Sequence, residues 1–293
     1  MMKKPIEIQA HDEPVTSVLF AIHRDGVFSA GKDNLIHLWS VPDGENLQTI
    51  RAHDDSVNSL ALSPDGKTLV SASNDTTIKA WSLPSGDLRY TLTGHSSPVA
   101  SVQVSPDGKR IASAAFDGKV KLWDFEKGKE TKTLSGNTGE VVSVAFSRDG
   151  KALATVSAGD EVQVWEVPSG KLMAKLPGHE EKAASALFSP DNQYLATVDT
   201  NGALRLWDLL DWHLKRMIPL DLMGMFPMAF DPNGDRLALA GNDKLAVLSF
   251  PDGDVLDQAD YQLDEVNALA YSPDGNWLAM GADDTKIRLW QME

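Results

Sequence analysis

Serine, histidine, aspartate and lysine are the residue types through which this chain could do chemistry, because it contains no cysteine. That excludes thiolate nucleophiles, thiolate metal ligands and a disulfide framework, and it fits a reducing cytoplasm. Metal binding by the remaining types needs several convergent ligands. His23, His37 and His213 stand apart, and no local spacing supplies such a set, so no metal is expected. Turns such as Ser63-Pro64-Asp65-Gly66 are rich in Asp and Gly, but they lack the alternating oxygen ligands and distal Glu of a calcium loop. Lys67 and Lys109 follow such turns. A phosphate site would need a Gly-rich loop opening a helix instead. No cofactor is expected.

The elements that hold these residues repeat. Trp39, Trp81, Trp123, Trp165 and Trp207 are spaced 42 residues apart, Leu248 follows at 41, and Trp290 at 42 again. Periods of this length point to propeller blades of four strands. A turn keeps the same beat: Ser63-Pro64-Asp65-Gly66, Ser105-Pro106-Asp107-Gly108, Ser147-Arg148-Asp149-Gly150, Ser189-Pro190-Asp191-Asn192, Asp231-Pro232-Asn233-Gly234 and Ser272-Pro273-Asp274-Gly275. Pro presets the turn, and Gly or Asn accepts its left-handed position. Between turns, runs such as Val99–Val104 alternate with period two, as half-buried strands do. The last unit stops just past its third strand. Pro5 to Gln9 aligns with the segment that ends the other units, so it should complete the final blade. The fold class is therefore all-β: a closed seven-bladed propeller of four-stranded antiparallel blades, with residues 1–293 as one domain.

Charge and hydropathy narrow the partners. The chain has 293 residues and a formal charge of −15, so it repels phosphate backbones and nucleic acid is not expected. Met1-Met2-Lys3-Lys4 is followed by no apolar run, and no stretch of 18 apolar residues occurs. No secretory leader and no membrane insertion are expected.

These in-phase units resemble the WD-repeat family over essentially the whole chain. The resemblance implies a four-residue network in each blade: a His before the first strand, Ser or Thr in the second, Asp in the next turn and Trp in the third. Carried onto this sequence, it is complete in His11, Ser29, Asp33, Trp39; in His53, Ser71, Asp75, Trp81; and in His95, Ser113, Asp117, Trp123. Blade 5 offers His179, Thr197, Asn201 and Trp207. Blade 4 has Asn137, Thr155, Gly159 and Trp165, with Asp160 one place late. Blade 7 has Gln262, Met280, Asp284 and Trp290. Blade 6 has Asp221, Ala238, Asn242 and Leu248, and so no network. Ser, His and Asp together invite a catalytic-triad reading. Three copies argue against it, since a nucleophile is needed once and the implied order joins Ser to Trp.

The resemblance also implies a peptide-binding face around the central channel. It is lined by the residues flanking the first-strand valine and by the residue before the network Asp. The positions singled out are Lys32, Phe116, Glu140, Lys182, Glu265 and Asp283, with Met223 and Phe226 in the apolar loop before the sixth blade. Trp212, in the turn after the third strand of blade 5, is a second candidate on the opposite face. The function expected is a non-catalytic protein–protein scaffold or adaptor, alone or within a larger complex. Its partner would carry basic residues beside an apolar anchor. The alternative is an enzyme or small-ligand-binding propeller with its site in the channel.

Overall fold

The computed structural model describes the chain except for residues 1, 2, 24, 138, 159, 160, 180, 181, 221, 223, 225, 226, 262, 264 and 293. Among the described residues, twenty-eight strands form seven four-stranded antiparallel sheets. Blade 1 comprises Val15–Phe20, Gly26–Gly31, Leu35–Ser40 and Asn46–Arg51, in that order from axis to rim. Blade 7 takes three strands from the C-terminal end, Val266–Tyr271, Trp277–Ala282 and Lys286–Gln291. Its rim strand is Ile6–Gln9, which pairs antiparallel with Lys286–Gln291 from Ile6 opposite Leu289 to Gln9 opposite Lys286. Each blade's inner strand contacts those of its two neighbours, and blade 7 contacts blade 1, so the ring is closed as the repeat implies.

Composition follows radius. Second strands such as Thr68–Ser73 are buried throughout and carry apolar or small hydroxyl side chains. Rim strands such as Asn46–Arg51 are mostly exposed and polar. Seven clusters of buried apolar side chains sit one at each junction between consecutive blades, among the described residues. A blade alone would leave both faces bare, so stacking neighbours is what buries the core. The network tryptophans lie in these junctions: Trp39 packs with Ile8, Val15 and Ile287 between blades 7 and 1.

The recurrent Ser-Pro-Asp-Gly turn satisfies itself. Ser63 Oγ donates to Asp65 Oδ1 at 2.6 Å, and Asp65 Oδ1 accepts the Lys67 amide at 3.1 Å. Ser63 Oγ in turn accepts the Thr68 amide at 2.9 Å. These bonds hold the Asp65 carboxyl below its ordinary range. Gly66 sits at φ 66°, in the left-handed region that glycine enters at no steric cost. Asp65 Oδ1 thus closes the turn on itself.

Candidate functional site

In blades 1, 2 and 3 the four-residue network has one geometry. His53 Nε2 lies 2.8 Å from Ser71 Oγ, which accepts Trp81 Nε1–H at 2.9 Å, and His53 Nδ1 lies 2.8 Å from Asp75 Oδ2. Blade 1 repeats this with His11, Ser29, Asp33 and Trp39, and blade 3 with His95, Ser113, Asp117 and Trp123. Burial drives the His53 and His95 imidazoles below their ordinary value, against the pull of Asp75 and Asp117. For Asp75, burial works to raise the pKa, but bonds from the Thr77 hydroxyl, the Thr77 amide and His53 outweigh it and hold the carboxylate down. Ser29, Ser71 and Ser113 are each held between Trp and His and are fully buried, out of reach of solvent.

Blade 5 differs from the pattern that the resemblance implies. The carboxylate at His179 Nδ1 belongs to Asp199, 3.3 Å away, where the sequence reading had placed Asn201. Arg205 reaches both groups, at 2.6 Å to Asp199 Oδ2 and 2.8 Å to His179 Nδ1. A buried acid two residues early is held because Arg205, opposite Thr197 on the third strand, neutralises it. His179 and Trp207 still meet at Thr197 Oγ1, each at 2.9 Å. In blade 4, Thr155 receives Trp165 at 3.0 Å and donates to Asn137 at 2.9 Å; Gly159 and Asp160 lie outside the described residues. In blade 7 the buried Met280 offers no oxygen, and Trp290 Nε1 has no partner among the described residues. In blade 6 Ala238 and Leu248 are simply core.

At the network end of the channel the fold pairs the candidate binding positions. The amide of the residue before the repeat position of the network Asp, filled by Gly159 in blade 4 and Asn201 in blade 5, donates to the residue preceding the first strand: Lys32 to Pro14, Phe116 to Pro98, Ala158 to Glu140, Thr200 to Lys182, and Asp283 to Glu265, at 2.8–3.0 Å. Lys32, Glu140 and Lys182 are exposed and Glu265 is half-buried. Phe116 is 39% exposed, beside Pro98. Met223 and Phe226 lie outside the described residues; their neighbours Leu222 and Met228 are buried.

A feature that the sequence reading missed sits just inward. In six blades the inner strand has a bulge at its second residue, as between Val15 and Ser17. A bulge re-aims a side chain, and here it aims it at the next blade. Thr16 donates to Val57 O, Asn58 to Val99 O at 2.9 Å, and Asn267 to Val15 O at 2.8 Å. Asn267 also donates to Asp283 Oδ1 at 2.9 Å. Ser17, Ser59 and Ser101 make a second set of links, accepting amides of the next blade's inner strand. Positions expected to line a binding surface thus also fasten the ring. The signal was a polar residue and a serine repeating at the strand start.

Trp212 adopts φ 59° at the place where Gly44, Gly86, Gly128, Gly170 and Gly253 occupy the left-handed region in the other turns. It is half-buried against the cluster between blades 4 and 5. The fully presented apolar group there is Leu210, 93% exposed. At the opposite channel mouth from the networks lies a cavity of about 830 Å³. Phe146, Phe188, Phe230 and Tyr271 line it inside a ring of turn prolines.

The family model described as WD domain, G-beta repeat matches residues 3–40, 44–82, 86–124, 128–166, 170–208 and 260–291. The unmatched interval contains blade 6, which has lost both Trp and network. A stretch of 66 residues is 35% identical to Intraflagellar transport protein 122 homolog of Mus musculus, covering 22% of this chain and 6% of that protein.

Proposed function

Because this chain belongs to the WD40-repeat family, whose propellers generally mediate protein interactions and are generally non-enzymatic scaffolds, we propose that it is a non-catalytic adaptor. It binds a segment of a partner protein on the network-side face of the channel, in the cytoplasm. The observation that carries this reading is Phe116. An exposed aromatic next to Pro98 occupies a position that is small or polar in the other described blades, on a surface whose polar neighbours are held in place by the ring. Large aromatics on rigid backbones are common interface anchors. Glu140, Glu265 and Asp283 add negative charge around the rim, and this complements a basic segment. Lys32 and Lys182 break that field on two blades and give it register. The complete burial of the network serines supports the non-catalytic part. The matched mouse protein is by its name a transport protein, and the matched stretch covers 6% of it; the adaptor reading extends to membership of a larger complex.

The test is affinity purification from the native source with two baits, wild type and Phe116→Ala combined with Asp283→Lys. Partners retained by the first and lost by the second support this face. Partners retained equally by both reject it, and the Trp212 and Leu210 side then becomes the surface to vary. The aromatic cavity at the far mouth favours one second reading, an apolar small ligand seated between Phe188 and Tyr271. Native mass spectrometry of protein purified from its source would show such a ligand as a discrete added mass.

A further inference from the structure

The third-strand residue opposite the network Ser or Thr is a hydrogen-bond donor in most blades. It is Lys79, Lys121, Gln163 and Arg205 in blades 2 to 5. Lys79 Nζ and Gln163 Nε2 each donate to a loop carbonyl at 2.9 Å, and Arg205 donates to Asp199. A lysine ammonium or a guanidinium offers no lone pair to a metal. Blade 1 alone has an imidazole in that register, His37, opposite Ser29. The His11 and His37 rings meet edge-on with centroids 4.7 Å apart. On the other side Gly31 leaves room for His11 and Asp33: a Cβ there would lie 2.7 Å from His11 Nδ1 and 3.0 Å from Asp33 Oδ1. One ligand atom from each of His11, Asp33 and His37 lies within 4.8 Å of the others, the sole such trio found among the described residues.

We propose that blade 1 holds a transition-metal site in which His11, Asp33 and His37 bind a divalent ion of the zinc type. A tetrahedral ion with bonds of about 2.0–2.2 Å sets its ligand atoms roughly 3.4 Å apart. Small side-chain rotations close the remaining gap. Two imidazoles and one carboxylate suit zinc, cobalt or nickel rather than calcium or magnesium, and the fourth position is left to water. His11 presents Nδ1, the atom beside Asp33, at 2.8 Å. With its proton on Nε2, His11 donates to Ser29 Oγ, which already accepts Trp39, and the Ser29 hydroxyl hydrogen turns away from the ring. Blade 5 is built in this swapped form. There Arg205 donates to His179 Nδ1, so Nε2–H is the proton given to Thr197. His37 presents Nε2, because its Nδ1 lies 2.9 Å from both Thr49 Oγ1 and Asn46 Nδ2. With the Asn46 amide turned, Nδ1–H donates to Thr49. Such an outer partner orients the ring and raises its basicity.

The experiment titrates the intact protein with zinc chloride by calorimetry and with cobalt chloride by visible absorption. One-to-one binding with a four-coordinate cobalt band is expected. His37→Gln, which installs the residue type of blade 4, should keep the metal-free melting temperature and weaken zinc by about 100-fold. Thr49→Val should weaken it about tenfold or more through the outer partner. It also serves as the second variant should His37→Gln fold poorly. His23→Gln and His213→Gln should bind as wild type. The proposal is overturned if wild type shows no saturable binding up to about 100 μM zinc, or if His37→Gln and Thr49→Val both bind unchanged.

Discussion

Asp75 accepts bonds from the Thr77 hydroxyl, the Thr77 amide and His53, so removing it strands several buried donors at once. Asp75→Ala or His53→Ala should lower unfolding free energy by about 1–3 kcal/mol in urea denaturation, because an orphaned buried partner costs its full desolvation. Asn137→Ala should cost less, since blade 4 keeps Trp165 on Thr155 without it. Acid should act through the same residues. His53 and His95 have folded pKa values below the ordinary 6.5, so protonation favours the unfolded chain. Their contribution is complete above 6.5 and drains away as pH falls through the depressed folded values. Asp75 and Asp117, also depressed, lose theirs only below the ordinary 3.8. The urea midpoint should therefore fall from about pH 7.5 to about pH 5.5, and an unchanged midpoint would contradict this account. The repeat spacing made His53, Ser71, Asp75 and Trp81 legible in the sequence. The substitution of Asp199 for Asn201 was not, because it depends on the Arg205 side chain reaching Asp199 from its place opposite Thr197, a contact that spacing alone does not register. His37 reads as isolated in the sequence because His11, 26 residues away, meets it only once the blade is folded.

At the level of elements, the ring rests on two kinds of join. One is the closure, where Ile6–Gln9 supplies the rim strand of blade 7 and Ile8 is buried between blades 7 and 1. Ile8→Ala should cost about 2–4 kcal/mol as a large-to-small change in a packed cluster. Deleting residues 1–9 should lower the melting temperature further and expose a strand edge prone to pairing between molecules. An unaltered melting temperature in that truncation would speak against the closure. The other join is the bulge at the start of the inner strands. Asn58→Ala removes the bond to Val99 O and leaves that carbonyl short of a partner, a loss of about 1 kcal/mol by thermal unfolding. Period-two patterning located the inner strands, but it could not show the extra residue in six of them. A bulge flips which side chains face the channel, and only the pairing register reveals it.

For the whole molecule, the even seven-fold repeat spreads stability over like junctions while the surface differs from blade to blade, and recognition belongs to the differences. Phe116 in blade 3 and the Glu265–Asp283 pair in blade 7 break the repeat on the network-side face. Leu210 and Trp212 break it on the other. The closed ring was readable from tryptophan spacing, because a fixed period is a one-dimensional signal. The choice of face was not, because exposure depends on how each loop packs, as the half-buried Trp212 beside the exposed Leu210 demonstrates. The central claim, that the network-side face is the binding surface, is tested most directly by titrating a recovered partner against wild type and Phe116→Ala, at low and high salt. Truncating a central aromatic should weaken binding about thirtyfold, equivalent to about 2 kcal/mol. Asp283→Lys should weaken it at low salt and much less at high salt, because exposed charges are screened. Equal affinity of wild type and both variants, at either salt, would contradict the claim.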